Sequence, residues 1–287
     1  MGELILPGAN AGAIITANSA EGAALFGGGL DRSEMFAGVQ ASDILMPRLK
    51  LAQASDSNVK NPANKLVNGD YYNQSTLEKV FDAATGGWVV PIYFYKEMIE
   101  WNIDKKAEKN KKIIAKTTDY NSVEGRKMAW HVANRTKVTD SKGKSVNKIT
   151  EYIHFLVVVP DISWTTPFQL SFYRSNYKVG KQLLNRAMNA VYITPDGGKI
   201  AGAPLYSMAY HLRSDVELNT DGEDYQISQI GQSVSNPPEV LADLRRQYEE
   251  ARKAMQSGAL AVSPEDGDAA DAEVVQATVV DVSKSEV

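Results

Sequence analysis

Apolar and polar residues alternate with a period of two along most of the middle of the chain, which is typical of β-strands. The clearest case is residues 86–102, GGWVVPIYFYKEMIEWN. The same alternation predicts further strands at residues 127–138, 149–159, 204–219 and 225–230. A polar stretch around Gly143 predicts a hairpin loop between the first two of these. Short strands joined by loops favour a small antiparallel barrel over a parallel α/β sheet.

The long strand carries aromatic residues on both of its faces. Its period of two places Ile92, Phe94 and Met98 on one face. The opposite face receives three aromatic residues, Tyr93, Tyr95 and Trp101. Since one face must cover the core, we predict that the Tyr93, Tyr95 and Trp101 face is exposed. The alternative is that these rings belong to the core or to a subunit contact.

One helix is predicted within the body, at about residues 176–192, where apolar residues recur four apart. The junction with the preceding strand carries two tyrosines and three cations: Tyr173, Arg174, Tyr177, Lys178 and Lys181. A helix N-terminus attracts anions through its free N–H groups and its dipole, so these residues predict a phosphate contact. Gly180, which costs about 1 kcal/mol in a helix interior, is interpreted as a point of close approach.

The pattern divides the chain into four segments. A second helix is predicted at the C-terminus, with Asn236 as its cap, Pro237 at its first position and Glu239 in its first turn. Residues 43–53 predict a first strand, which Pro47 assigns to a sheet edge or a bulge. The predicted segments are a Gly/Ala-rich arm at 1–42, a small antiparallel barrel with one inserted helix at 43–236, a docking helix at 237–258 and an acidic disordered tail at 259–287.

The sequence contains no recognisable catalytic or metal-binding motif. It has no cysteine, and its three histidines lack the HxH or HxxxH spacing of zinc ligands. A phosphate-binding P-loop and a GxSxG nucleophile motif are also missing. Glu97, Glu100 and Asp104 lie close together in the sequence, but Glu97 and Glu100 fall on opposite strand faces. We therefore predict a protein that is not an enzyme and uses no cofactor or metal.

The charge is unevenly distributed along the 287 residues, whose net charge is −4. Residues 43–236 carry 25 basic and 20 acidic residues, whereas residues 259–287 carry one and seven. A group of lysines follows Trp101 directly: Lys105, Lys106, Lys109, Lys111, Lys112 and Lys116. Cations interleaved with aromatic rings are typical of proteins that bind single-stranded nucleic acid, although a solvated hairpin tip would also explain the lysines. No apolar run approaches the roughly 20 residues that a membrane helix needs, so no membrane contact is expected.

Several stretches resemble the single-stranded DNA-binding proteins encoded in tailed-phage replication modules. They are MPRLKLAQ, GDYYNQST, VVPIYFYKEMIEW, PFQLSFYRSNYKVGKQL and YSMAYHLRSDVELNTDGEDYQISQIG. The resemblance spans roughly residues 43–236 and implies an oligonucleotide-binding barrel that coats single strands in the cytoplasm of an infected bacterium. It also implies an acidic tail that recruits replication or recombination proteins and competes with DNA for the basic groove. The tail here ends SKSEV and lacks the terminal aromatic residue that many such tails carry.

The sequence thus predicts a sequence-independent single-stranded DNA-binding protein of phage replication or recombination. The predicted DNA-binding residues are Tyr93, Tyr95, Trp101, Lys105, Lys106, Lys109, Lys111, Lys112, Tyr173, Arg174, Tyr177, Lys178 and Lys181. One alternative is a strand-annealing recombinase, which would form rings or filaments. Another, from a different class, is a virion or scaffold protein whose aromatic residues are subunit contacts. The sequence leaves the oligomeric state open.

Overall fold

The computed structural model describes residues 46–103, 113–218, 222 and 224–256. The predicted arm, the five lysines from 105 to 112 and the acidic tail all lie outside these residues. The described residues form two compact units. The first contains residues 46–94 and 154–256, and the second contains residues 95–153, apart from the gaps just named.

The first unit is built on a curled, half-barrel sheet. Its complete strands are β1 (Arg48–Leu51), β2 (Tyr71–Asn73), β3 (Lys79–Phe81), β8 (Ser163–Tyr173), β11 (Met208–Leu218) and β12 (Asp224–Ser235). Two longer strands contribute only in part: β4 (Gly87–Asn102) as far as Phe94, and β7 (Ser145–Val159) from His154 onward. They follow the order β12-β11-β4-β7-β8-β1-β2-β3. A separate two-stranded sheet consists of β9 (Val191–Ile193) and β10 (Lys199–Ala201).

The proline of the first strand predicts a position at a sheet edge or a bulge. In the structure this strand does not lie at an edge of the sheet. Pro47 precedes β1, and its carbonyl oxygen accepts a hydrogen bond from the Gln169 N–H at 2.8 Å. From Arg48 onward the strand pairs on both sides, parallel to β8 and antiparallel to β2. The edge prediction was wrong because the proline lies outside the strand and removes no donor from either ladder.

Among the described residues, three α-helices accompany this sheet: α1 (Ser57–Lys60), α3 (Tyr177–Met188) and α4 (Pro238–Gln256). The predicted C-terminal helix is confirmed as α4, which packs Leu244 and Ala251 into a core with Val90, Ile92 and Leu156. Its first residue is Pro238, one position later than predicted. Asn236 is buried, and its side-chain amide donates to the Tyr206 carbonyl at 2.8 Å, so this residue anchors the start of the helix to the body.

The second unit contains the remaining parts of β4 and β7, together with β5 (Ile113–Thr117), α2 (Val123–Ala133) and β6 (Val138–Thr139). The predicted hairpin around Gly143 is confirmed, since β6 pairs antiparallel with β7. However, residues 127–133 are helical, so the strand predicted at 127–138 was largely wrong. Ser122 caps the helix by accepting a hydrogen bond from the Gly125 N–H at 2.9 Å.

These observations confirm the predicted fold class. The protein is mainly β, with an OB-like curled sheet, a helix inserted after β8 and a C-terminal helix. The inserted helix is confirmed as α3, although α1 and α2 precede it and make it the third described α-helix of the body. The inner face of α3 buries Val179, Leu183 and Ala187, as their spacing predicted.

Candidate nucleic-acid interface

The candidate interface of the first unit lies where β8 gives way to α3. The strand ends at Tyr173, a 3-10 turn covers Arg174–Asn176, and α3 begins at Tyr177. Arg174 has a φ of 51°, in the left-handed region, which costs a residue with a Cβ about 1 kcal/mol. The chain therefore turns sharply at Arg174, and its side chain is exposed.

Contacts with β8 and β12 hold the first turn of α3 in place. The Asn176 side-chain oxygen accepts a hydrogen bond from the Ser228 N–H of β12 at 2.7 Å, and it does not cap the helix. Gly180 lies against the buried Phe172 of β8, where an added Cβ would come within 2.8 Å of the Phe172 Cβ. The close approach predicted at this glycine is therefore one between α3 and its own sheet.

Two cations at this junction lie over tyrosine rings. The Arg174 guanidinium is 5.7 Å from the centroid of the Tyr173 ring. The Lys181 ammonium is 4.8 Å from the centroid of the Tyr177 ring, one helical turn away. Both cations are exposed and both rings are partly buried. Each pair lies within the cation–π range of about 6 Å. We name Tyr173, Arg174, Tyr177 and Lys181 the junction surface.

The third cation of the junction has an acidic partner. The Lys178 ammonium donates to a Glu217 carboxylate oxygen at 2.7 Å, and the Tyr225 hydroxyl donates to the other oxygen at 2.8 Å. The hydrogen bond with Glu217 raises the pKa of Lys178, and the same bond lowers the pKa of Glu217. Because the two pKa values move apart, the pair is ionised at neutral pH. The structure thus places Lys178 beside the junction surface as one member of an ion pair that has no net charge.

The predicted aromatic face of β4 is not uniformly exposed. In the first unit, Tyr93 is partly buried, and its ring lies 6.0 Å from that of Tyr248 on α4. In the second unit, Tyr95 is only 6% exposed, so the predicted exposure was wrong for this residue. Trp101 is partly buried and pairs with Ile113 of β5.

Both faces of β4 are buried along part of the strand, which explains why the predicted aromatic face is not uniformly exposed. Val89 and Val90 are adjacent and both fully buried, as are Met98 and Ile99. Phe94, which was assigned to the core face, is 38% exposed. An alternating pattern identifies two faces but cannot tell whether one or both of them are covered.

Buried polar residues near the middle of the sheet are engaged with one another. The His154 Nδ1 lies 2.8 Å from the Ser171 hydroxyl and 3.0 Å from the Gln169 amide nitrogen. In the second unit, a Glu100 oxygen accepts a hydrogen bond from the Asn147 amide at 2.6 Å. Across the described ranges, no group of three His, Asp or Glu side chains is arranged to hold a metal ion.

Sequence reasoning missed a further exposed aromatic residue besides Phe94. Trp130 had been assigned to a strand, but it lies on α2 and is 57% exposed. The overlooked signal was Ser122, a preferred N-cap residue, followed by the good helix formers Arg126, Lys127, Met128 and Ala129.

The fold and the junction together define a mainly β protein whose first unit displays exposed cations over tyrosine rings. The chain belongs to the Pam3 phage gp34-like protein family, whose sequence profile matches residues 21–259, and it is thus a phage protein. Comparison with curated proteins gives no significant match, and neither does comparison with solved structures. Among the described helices, none is both long and apolar enough to cross a membrane.

Proposed function

We propose that this protein binds single-stranded DNA without sequence preference, as a non-catalytic component of phage replication or recombination. The carrying observation is the junction surface, where Arg174 and Lys181 each lie over a partly exposed tyrosine ring. Cations attract the phosphates of a single strand, and aromatic rings stack on its unpaired bases. Neither contact depends on base identity, because every base has a π-face and phosphates carry no sequence information.

The phage family supports the setting of this proposal. A phage protein of this kind would act on single strands in the cytoplasm of the infected bacterium, and the OB-like sheet is a fold that binds oligonucleotides. The acidic segment 259–287 would then compete with DNA for cations, or recruit replication and recombination proteins, as the sequence predicts.

We expect the full-length chain to bind fluorescein-labelled oligo(dT) and oligo(dA) with similar affinity. Binding should weaken as salt rises, since each phosphate contact on a single strand contributes about 0.7 to the slope of log affinity against log salt. Fluorescence anisotropy in a salt series measures both quantities. Duplex DNA of equal length is the control. Absence of binding to oligo(dT) at about 50 mM salt would exclude the proposed function.

Removing the acid beside the junction surface should tighten binding. In Glu217→Gln the side chain keeps an oxygen for Tyr225 but loses its negative charge, which leaves Lys178 available to a phosphate. The slope of log affinity against log salt should therefore steepen by about 0.7. Asp243→Asn is the matched control, because Asp243 also pairs with a cation, Arg246, on the exposed surface of α4. Weaker binding by the Glu217 variant would move the DNA contact away from this junction.

A structural role in the virion is the second candidate. The β9–β10 hairpin and the end of α3 expose four large apolar side chains: Met188, Val191, Ile193 and Ile200. Apolar side chains clustered on a surface are typical of protein contacts. Light scattering distinguishes the candidates, because a scaffold protein should assemble through this hairpin and should not bind oligo(dT).

A further inference from the structure

The outer face of α2, in the second unit, presents an aromatic ring that the junction surface does not include. Trp130 is 57% exposed, whereas Trp88, Trp101 and Trp164 are all partly buried. The inner face of the same helix explains the exposure. Met128 is buried with Met98 and Ile149 in the core of the second unit, so a residue two positions further along the helix points away from it.

Cations share the outer face with this ring. Arg126 and Lys127 precede Trp130 by four and three residues, which places them beside it on the helix surface, and both are exposed. One Arg126 nitrogen donates to the Asn121 carbonyl at 2.5 Å, which anchors the guanidinium close to the helix start. An arginine has five donors, so this bond leaves capacity for a phosphate.

The ring of Trp130 is also held in place. His131 packs edge-on against it with a centroid separation of 5.0 Å. The His131 Nδ1 lies 2.9 Å from the Thr136 hydroxyl, which fixes the imidazole. A held ring loses less conformational entropy on stacking than a mobile one, so this arrangement favours binding.

The net positive charge of the surrounding segment favours an anionic partner. Residues 122–148 carry seven basic residues and two acidic ones, Glu124 and Asp140. The Asp140 carboxylate accepts the backbone N–H groups of Lys142 and Lys144, both at 2.9 Å, and so holds the hairpin turn together. All seven cations of the segment are exposed: Arg126, Lys127, Arg135, Lys137, Lys142, Lys144 and Lys148.

We infer that the outer face of α2 is a second contact for single-stranded DNA, in which Trp130 stacks on one unpaired base while Arg126 and Lys127 bind adjacent phosphates. This inference rests on the proposed function and adds a binding surface in a different unit. A stacked base requires an unpaired strand, so this contact distinguishes single strands from duplex DNA.

The test compares Trp130→Ala and Trp130→Phe with the wild-type chain in oligo(dT) titrations. Loss of one stacking residue should weaken binding by roughly 5- to 100-fold, while phenylalanine, which still stacks, should restore most of the affinity. Quenching of tryptophan fluorescence by oligo(dT) should largely disappear in both variants. Ile162→Ala is the matched control, because Ile162 is 50% exposed and lies in the first unit. It should bind like the wild type.

A second variant keeps the test valid if Trp130→Ala does not fold. Arg126→Gln with Lys127→Gln leaves the core of α2 untouched and should reduce the salt slope by about 1.4, or about 0.7 per contact. If these variants bound oligo(dT) with the affinity, quenching and salt slope of the wild-type chain, the inference would be overturned and the proposed function would remain intact. An altered oligomeric mass at unchanged affinity would have the same consequence, because it would make this face a protein contact. A wild-type chain that does not bind oligo(dT) would overturn both.

Discussion

Tyr95→Ala should lower the free energy of unfolding by about 3–4 kcal/mol, because truncating a buried aromatic residue removes its apolar burial and leaves a cavity. Tyr95 is 6% exposed in the second unit, although the strand pattern predicts an exposed ring at this position. Chemical denaturation followed by circular dichroism measures the effect. If Tyr95 were instead an exposed stacking residue, the loss would be well below 1 kcal/mol.

Phe94→Ala is the matched comparison, since Phe94 is the neighbouring aromatic residue on the opposite face and is 38% exposed. Its loss should cost less than that of Tyr95, about 1–2 kcal/mol, because part of its ring already contacts water. If Tyr95→Ala cost no more unfolding free energy than Phe94→Ala, the faces would be assigned as the sequence predicts. Tyr95→Leu separates stability from binding: it keeps an apolar side chain in the core, and its affinity for oligo(dT) should match the wild type.

Arg174→Gln combined with Lys181→Gln should reduce the slope of log affinity against log salt by about 1.4. Two phosphate contacts are lost, and each contributes about 0.7 to this slope. The affinity for oligo(dT) at about 50 mM salt should therefore fall by about 60-fold. The loss should be equal for oligo(dT) and oligo(dA). Folding should be preserved, because glutamine is no more strained than arginine at the positive φ of residue 174 and is a comparable helix former at residue 181.

Lys60→Gln combined with Lys199→Gln provides the control of equal charge. Both lysines are exposed in the first unit, and neither belongs to the junction surface. This control should alter the salt slope little, because neither lysine belongs to the proposed contact and an exposed charge is screened within about 10 Å at 0.1 M salt. If both double variants changed the slope equally, binding would depend on net charge and not on the junction.

Period-two alternation was sufficient to predict the long strands β4, β7, β11 and β12, because the side chains of a strand point alternately to its two faces. Short strands such as β2, β3, β9 and β10 were not predicted, since three residues are too few to establish a period. The same pattern failed at α2. Met128, Trp130 and Val132 alternate as in a strand, yet Met128 and Val132 also recur four apart as on one side of a helix. Both interpretations fit the same three residues. The helix forms because Ser122 caps it and Met128 packs against Met98 and Ile149, and it turns Trp130 outward.

Local order thus determined the mainly β class, the inserted helix after β8 and the amphipathic C-terminal helix, since these follow from patterns that repeat within a few residues. Only the tertiary structure decided which charged and aromatic groups face solvent. Lys178 belongs to a cationic cluster in the sequence, but Glu217, 39 residues away, reaches its ammonium at 2.7 Å. Tyr95 lies on an aromatic face in the sequence, yet it is buried. Exposure and pairing depend on residues that are distant along the chain, so a local pattern carries no information about them.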